Sequence, residues 1–335
     1  MEHLKNCWMP AMWSKDLKKK PKQVKVLGTN FVFYRDSNGT PVALEDRCPH
    51  RGVKLSDGAV ISGDITCPYH GWRFDSQGQC SYIPSLFEGT KPPSVCVPSY
   101  PTCERNGLIW FVPGGNPTSE EPPEVVHPEA RWFASTLDVA GHYIYIMENW
   151  VENSHANVLH GGLLRGKPLN HVTATIARSA DHVRIRTLGE QEMDSLLFKL
   201  LGKTGEPIEH IEEYRAPNIM VSIYRQRGYF AGVQGFMVPV DETHTRWISR
   251  VFLNLGAITP LVFPVFARVT EKIMMQDAKI IDTMQQQAFD FPDSKNFSVI
   301  ADASSIEVVK AARAFAESGP EPEKGKKEKV IEYWL

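Results

Sequence analysis

Two short motifs, each pairing one cysteine with one histidine, constrain this chain more than any other feature. Cys48-Pro49-His50-Arg51-Gly52 gives C-x-H, and Cys67-Pro68-Tyr69-His70-Gly71-Trp72 gives C-x-x-H, with sixteen residues between His50 and Cys67. A structural zinc site, the competing reading, usually pairs cysteine with cysteine and histidine with histidine. The mixed pairs here suit a [2Fe–2S] cluster in which two thiolates hold one iron and two neutral imidazoles hold the other. Imidazole in place of thiolate removes negative charge and raises the reduction potential. Gly52 and Gly71 let the backbone pass close to such a cluster, and the neighbouring prolines stiffen both loops.

The surrounding pattern is that of a small β domain. Gln23–Gly28, Asn30–Arg35 and Pro41–Arg47 carry the residues of strands, with Asn38-Gly39 at a hairpin tip, and Asn106–Val112 is a further apolar strand. Pro113–Pro123 interrupts the pattern with Pro, Gly and acidic residues. These signals divide the chain into a cluster domain over 1–115, a linker over 116–123, a larger domain over 124–320 and a charged C-terminal tail over 321–335, in which Glu321–Val330 is mostly a solvated charge run. In the larger domain His182–Leu188, Asn218–Tyr224 and Thr245–Leu253 suggest an antiparallel sheet, flanked by helices near 145–160 and 264–288. The expected fold class is α+β.

Composition narrows the function classes. With 335 residues and a net charge of -2 there is no basic stripe for a nucleic acid. The most apolar stretch, Val251–Ala267, is broken by Asn254, Pro260 and Pro264 and is too short to span a membrane. No secretory signal is visible, and six cysteines in a chain of this length are not a disulfide scaffold. The expected compartment is the cytoplasm.

CPHRG and CPYHGW together resemble the cluster-binding signature of the α subunits of Rieske non-haem iron oxygenases, and nearly the whole chain fits that family's layout. The resemblance implies a second centre, a mononuclear Fe(II) held by two histidines and one carboxylate with open positions for O2 and substrate. His155 and His160, in the run Glu148–His160, match the family's iron-binding H-x4-H. On an ideal helix, residues five apart diverge by roughly 140°. Both rings can therefore serve one ion only if the helix bulges or ends between them. The third ligand is expected at Asp277. Phe266, Val269, Ile273, Asp277, Ile280 and Met284 form one helical stripe, and a carboxylate buried in it needs a cation. Glu148 and Asp138 are the alternative carboxylates.

In this family the cluster of one subunit serves the iron of its neighbour in a head-to-tail trimer, across a carboxylate three residues before the first histidine. Here that residue is Glu152 rather than the usual Asp, and its partner across the interface is expected to be His70. Asn149 resembles a family asparagine near the iron, and its bland reading is a helix cap. The chain holds neither a GxGxxG nor a plant-type ferredoxin motif, so a separate ferredoxin and/or flavin reductase must supply electrons from NAD(P)H. The length resembles the homotrimeric group that hydroxylates or oxidatively demethylates. An arene cis-dihydroxylase and a pure electron-transfer protein are the alternatives. An apolar substrate, aromatic or sterol- or terpenoid-like, is expected. Leu255–Phe266 is a candidate pocket wall, and Arg165, Lys167 and Arg215 are candidate clamps for a substrate carboxylate.

Overall fold

The computed structural model describes residues 3–87, 89–125, 129–163, 170–190, 207–319 and 327–335. They form two compact units, Met1–Glu124 and Val125–Leu335.

The first unit is built from short antiparallel strands. β2 (Lys22–Val26), β3 (Thr29–Arg35), β4 (Pro41–Glu45) and β9 (Ser99–Tyr100) make one sheet. β5 (Ala59–Ile61), β6 (Asp64–Thr66), β7 (Arg73–Phe74) and β8 (Cys80–Tyr82) make a second. A third, smaller sheet joins β1 (Met9–Trp13), β11 (Leu108–Phe111) and β10 (Thr102–Arg105). Cys48 and Cys67 belong to the buried cluster of Val32, Leu44, Ile65 and Phe74, so both thiols emerge from the core rather than from free loops. Residues 114–119, which include the start of the expected linker over 116–123, are tied to this unit. Gly114 N donates to Lys5 O, Thr118 N to Asn6 O, and Trp8 Nε1 to Ser119 O.

The second unit is an eight-stranded antiparallel sheet. Its order is β12 (Arg131–Val139), β18 (Thr245–Asn254), β17 (Tyr229–Pro239), β16 (Ile219–Gln226), β15 (Glu209–Arg215), β14 (His182–Leu188), β13 (His171–Arg178) and β19 (Lys327–Trp334). Helices Tyr143–Val151, Thr259–Asp290 and Ala303–Ser318 pack against the sheet and each other. Among the described residues no helix is long and apolar enough to cross a membrane.

The structure adds to two expectations. The described part of the charged run, 327–330, is exposed, yet it opens a strand: Lys327–Trp334 pairs along β13 with Ile331 and Tyr333 buried, and Leu335 exchanges backbone hydrogen bonds with Asn170. Charge along an edge strand points outward while alternate apolar residues face in, a period of two that composition alone conceals. The long helix starts earlier than its prolines suggest, at Thr259. Pro260 occupies its first turn, and the one amide that Pro264 lacks would bond only within that turn.

Candidate functional site

The two cluster loops close in the same way. Gly52 N donates to Cys48 O, and Cys48 N to Val53 O. Gly71 N donates to Cys67 O, and Cys67 N to Trp72 O. Both glycines sit at positive φ, +74° and +70°, where a Cβ strains the backbone, and at Gly71 it would also meet the Pro84 ring at 2.9 Å. The closure brings His50 and His70 together, ring centroids 4.6 Å apart, and Trp72 stacks on His50. His70 is exposed whereas both cysteines are buried. Burial, together with the adjacent Cys67, pushes the Cys48 thiol up to about 11, and the amides of His50 and Arg51 work in the opposite direction. Both cysteines are free thiols, and buried His50 Nδ1 has no hydrogen-bond partner. Two buried thiols beside two close imidazoles, one with an orphaned nitrogen, fit a cluster that consumes these groups as ligands.

In the second unit helix Tyr143–Val151 stops short of the first histidine. A 3-10 turn, Asn153–His155, and a four-residue helix, Ala156–Leu159, follow, and His160 lies just beyond. The chain thus breaks as the H-x4-H spacing requires. Glu152 causes the break: its carboxylate accepts from Ser154 N at 3.0 Å and His155 N at 3.2 Å, an N-cap that ends one helix and starts the next turn.

His155, His160 and Asp277 converge. Their donor atoms all lie within 4.8 Å of one another. Asp277 Oδ1 stands 3.0 Å from His160 Nε2 and 3.6 Å from His155 Nε2, and it is a buried oxygen without a hydrogen-bond partner. The opposite ring nitrogens are occupied. His160 Nδ1 is 3.0 Å from Gln276 Oε1, and His155 Nδ1 meets the Glu152 carbonyl and lies 3.2 Å from its carboxylate. An acceptor on Nδ1 fixes the proton there and leaves the Nε2 lone pair for an ion. Burial disfavours a charged His155, but the Glu152 and Asp277 carboxylates outweigh it and raise its pKa. Glu152 is likewise held down to about 2, because hydrogen bonds from His155 and Ser154 overcome the effect of burial. Three donors around one point, with an orphaned carboxylate oxygen among them, fit a divalent metal ion.

The remaining expectations divide. The buried face of the long helix runs through Phe266, Thr270, Met274, Asp277 and Ile281 rather than the stripe drawn from apolar residues alone, and Ile280 is exposed. Thr270 enters the core because its hydroxyl donates to Phe266 O at 2.9 Å, so counting only apolar residues turned the face by about one residue. Of Leu255–Phe266, only Phe266 lines the cavity at the triad. Glu148 and Asp138 do not join the ligand group: Asp138 pairs with Arg246 on the surface, and burial raises the Glu148 pKa. Asn149 lies inside its helix rather than at a cap, and it lines the cavity. Arg215 is bound to Glu213 at 2.6 Å, and Arg165 and Lys167 fall outside the described residues.

The cavity, about 140 Å³, is mainly apolar, with Trp150, Val233, Trp247 and Met274 among its walls. It also contains what the sequence did not reveal. Glu212, on β15, is 2 % exposed and lines the cavity, taking a hydrogen bond from Asn153 Nδ2 at 2.7 Å. The available signal was a strand, EHIEEYR, with acids and a histidine at alternating positions.

Comparison with known proteins gives the chain its relatives. Residues 7–101 match the family model for the Rieske [2Fe-2S] domain, and residues 139–318 match that for the vanillate O-demethylase oxygenase C-terminal domain. The dicamba O-demethylase oxygenase component of Stenotrophomonas maltophilia is 36% identical over 166 residues, 48% of each chain. A chloroplastic chlorophyllide a oxygenase of Chlamydomonas reinhardtii is 34% identical over 296 residues, 84% of this chain and 43% of that one. The matches thus span less than half the length of these two curated relatives. A crystal structure of dicamba monooxygenase bound to dicamba superposes with a TM-score of 0.82 at 21% identity, covering 94% of this chain and 98% of that chain, and so shares the fold. The cofactors of such a chain are a Rieske cluster and a mononuclear non-haem iron, and the C-terminal match alone covers more than half of the sequence. The chain belongs to the Rieske non-haem iron oxygenases, in the group with a vanillate O-demethylase type of catalytic domain.

Proposed function

We propose that this chain is the oxygenase component of a Rieske monooxygenase that hydroxylates or oxidatively demethylates an apolar molecule, aromatic or sterol- or terpenoid-like. The observation that carries the reading is the convergence of His155 Nε2, His160 Nε2 and Asp277 Oδ1 at the wall of an apolar cavity. Cys48, Cys67, His50 and His70 hold the cluster, and His155, His160 and Asp277 hold the iron. When bound, these groups supply single electrons and a site for O2 beside the substrate.

The protein's own contributions follow from the geometry. Gln276 and Glu152 keep the two imidazoles in the tautomer that presents Nε2 inward. Phe266, Ile273 and Trp247 surround the substrate and exclude water from the reacting position. Asn149 offers an amide on the same wall. The Glu152 carboxylate is 22% exposed, so it can orient His155 and still receive the exposed His70 of a neighbouring copy in a homotrimer. Electrons come from NAD(P)H through a ferredoxin and/or flavin reductase. All six cysteines are unpaired thiols, which supports a cytoplasmic setting.

The test is substrate-dependent O2 uptake with a surrogate reductase and isotopically labelled O2. A mass shift of one oxygen atom is expected, with turnover abolished in His155→Ala. Two incorporated atoms would mean dihydroxylation, and intact turnover in that variant would refute the ligand assignment.

A further inference from the structure

The sheet carries a second buried polar row, which reaches the cavity of the triad at Glu212. His210 and Glu212 point to the same face of β15, two residues apart. Their cross-strand neighbours on β16, Tyr224 and Ser222, line the cavity with Glu212. His210 is fully buried, with Nδ1 2.8 Å from Glu190 Oε1 and Nε2 3.5 Å from Glu212 Oε1. Tyr224 stacks on its ring at 4.1 Å.

Burial works against a protonated His210, but the carboxylates of Glu190 and Glu212 outweigh it and raise its pKa to about 9. Two carboxylates thus face this one ring. Glu190, which takes the shorter contact, is the imidazolium's main partner. Nε2 of His210 makes no hydrogen bond of good geometry, so Glu212 is only loosely served from that side.

Glu212 also has acceptor capacity to spare. An ionised carboxylate offers roughly four acceptor positions. Asn153 Nδ2 fills one firmly at 2.7 Å, and Ser222 Oγ, which itself accepts from Trp150 Nε1, reaches another only at 3.4 Å. Asn153 belongs to the same 3-10 turn as His155. A group held by Glu212 therefore sits beside the triad, with the rest of the molecule among apolar walls.

We propose that Glu212 is the specificity anchor of this cavity: it recognises substrates through a hydrogen-bond donor, a hydroxyl or an ammonium, and rejects substrates that carry a carboxylate. The inference rests on the cavity being the substrate pocket. A buried carboxylate with acceptor positions to spare gains from a donor, which a substrate carboxylate does not supply. Among the described lining residues Glu212 and Asp277 carry the carboxyl groups, and Asp277 is committed to the triad.

The test is calorimetric titration of the full, cluster-loaded chain without an electron donor, so that nothing turns over. Four probes of one shape are compared: 4-ethylbenzylamine, 4-ethylphenol, 4-ethylanisole and 4-ethylbenzoate. The amine and the phenol are expected to bind at least about tenfold more tightly than the ether, with the benzoate weakest. Glu212→Gln should erase that preference and leave the ether unchanged, whereas Glu212→Asp should retain it. Matching melting temperatures identify folded variants. Ile273→Trp, which fills the cavity, should weaken all four probes. If the probes bind alike, if the benzoate binds best, or if Glu212→Gln keeps the order, the anchor is refuted and the pocket stands. If no probe binds the parent protein, or if binding survives Ile273→Trp, the pocket itself is refuted and the anchor with it.

Discussion

Two clusters of imidazole and carboxylate each send a carboxylate to the same cavity, Asp277 and Glu212, and their wiring separates the proposed metal site from an ion pair. At His155, His160 and Asp277, the outward ring nitrogens are held by Glu152 and Gln276, so both Nε2 atoms and an unpartnered Asp277 Oδ1 meet at one point. At Glu190, His210 and Glu212, both nitrogens of the single ring face carboxylates. In the first cluster two rings converge on one carboxylate oxygen, whereas in the second one ring lies between two carboxylates. Residue type alone does not distinguish them; the number of rings that meet one carboxylate does.

The largest expected effect breaks the first cluster. Asp277→Asn should remove the mononuclear iron and abolish turnover while the visible absorption of the [2Fe–2S] cluster stays, checked by metal analysis and spectroscopy. Next is the second cluster, where Glu190→Leu removes the carboxylate nearest the His210 ring and leaves Nδ1 unpaired. A loss of roughly 1–3 kcal/mol in unfolding free energy is expected from denaturant titration, with no preferential loss of iron from the folded fraction. Gln276→Leu sharpens the contrast from the other side. Freeing the His160 ring should weaken iron binding by roughly 10–100-fold at nearly unchanged stability, measured by chelator competition.

The smallest effect concerns pH. The pKa of His210 is raised to about 9 by Glu190 and Glu212 against the opposing effect of burial. A raised imidazole pKa stabilises the fold fully below its unfolded value, roughly 6.5, and the gain fades as pH climbs through 9. Melting temperature should therefore fall over that alkaline window, and His210→Gln should flatten the slope.

How much of this was legible in the sequence follows from how local each part is. The cluster loops are contiguous, and each closes through hydrogen bonds between its own cysteine and glycine, so C-P-x-x-G specifies geometry almost by itself. The H-x4-H spacing demanded a helix break, and the break is there, although no local pattern marked Glu152, turned back as a cap, as its agent. Asp277 was reached through a stripe whose true face lies one residue round, because Thr270 conceals its hydroxyl against Phe266 O. His210 and Glu212 were not found. Their burial depends on Ser222 and Tyr224 across the sheet and on Asn153 far earlier in the chain, and no local pattern records such pairings. The strand Lys327–Trp334 was hidden for the same reason, since its partner β13 lies more than a hundred residues away.

Iron stoichiometry tests the central claim most directly. Metal analysis of the purified full chain should give about three iron atoms, two in the cluster and one at the triad, falling to about two when His155, His160 and Asp277 are replaced together, with the cluster spectrum unchanged. About two atoms in the unaltered protein, or loss of the cluster on replacing the triad, would contradict the assignment of separate centres to the two units.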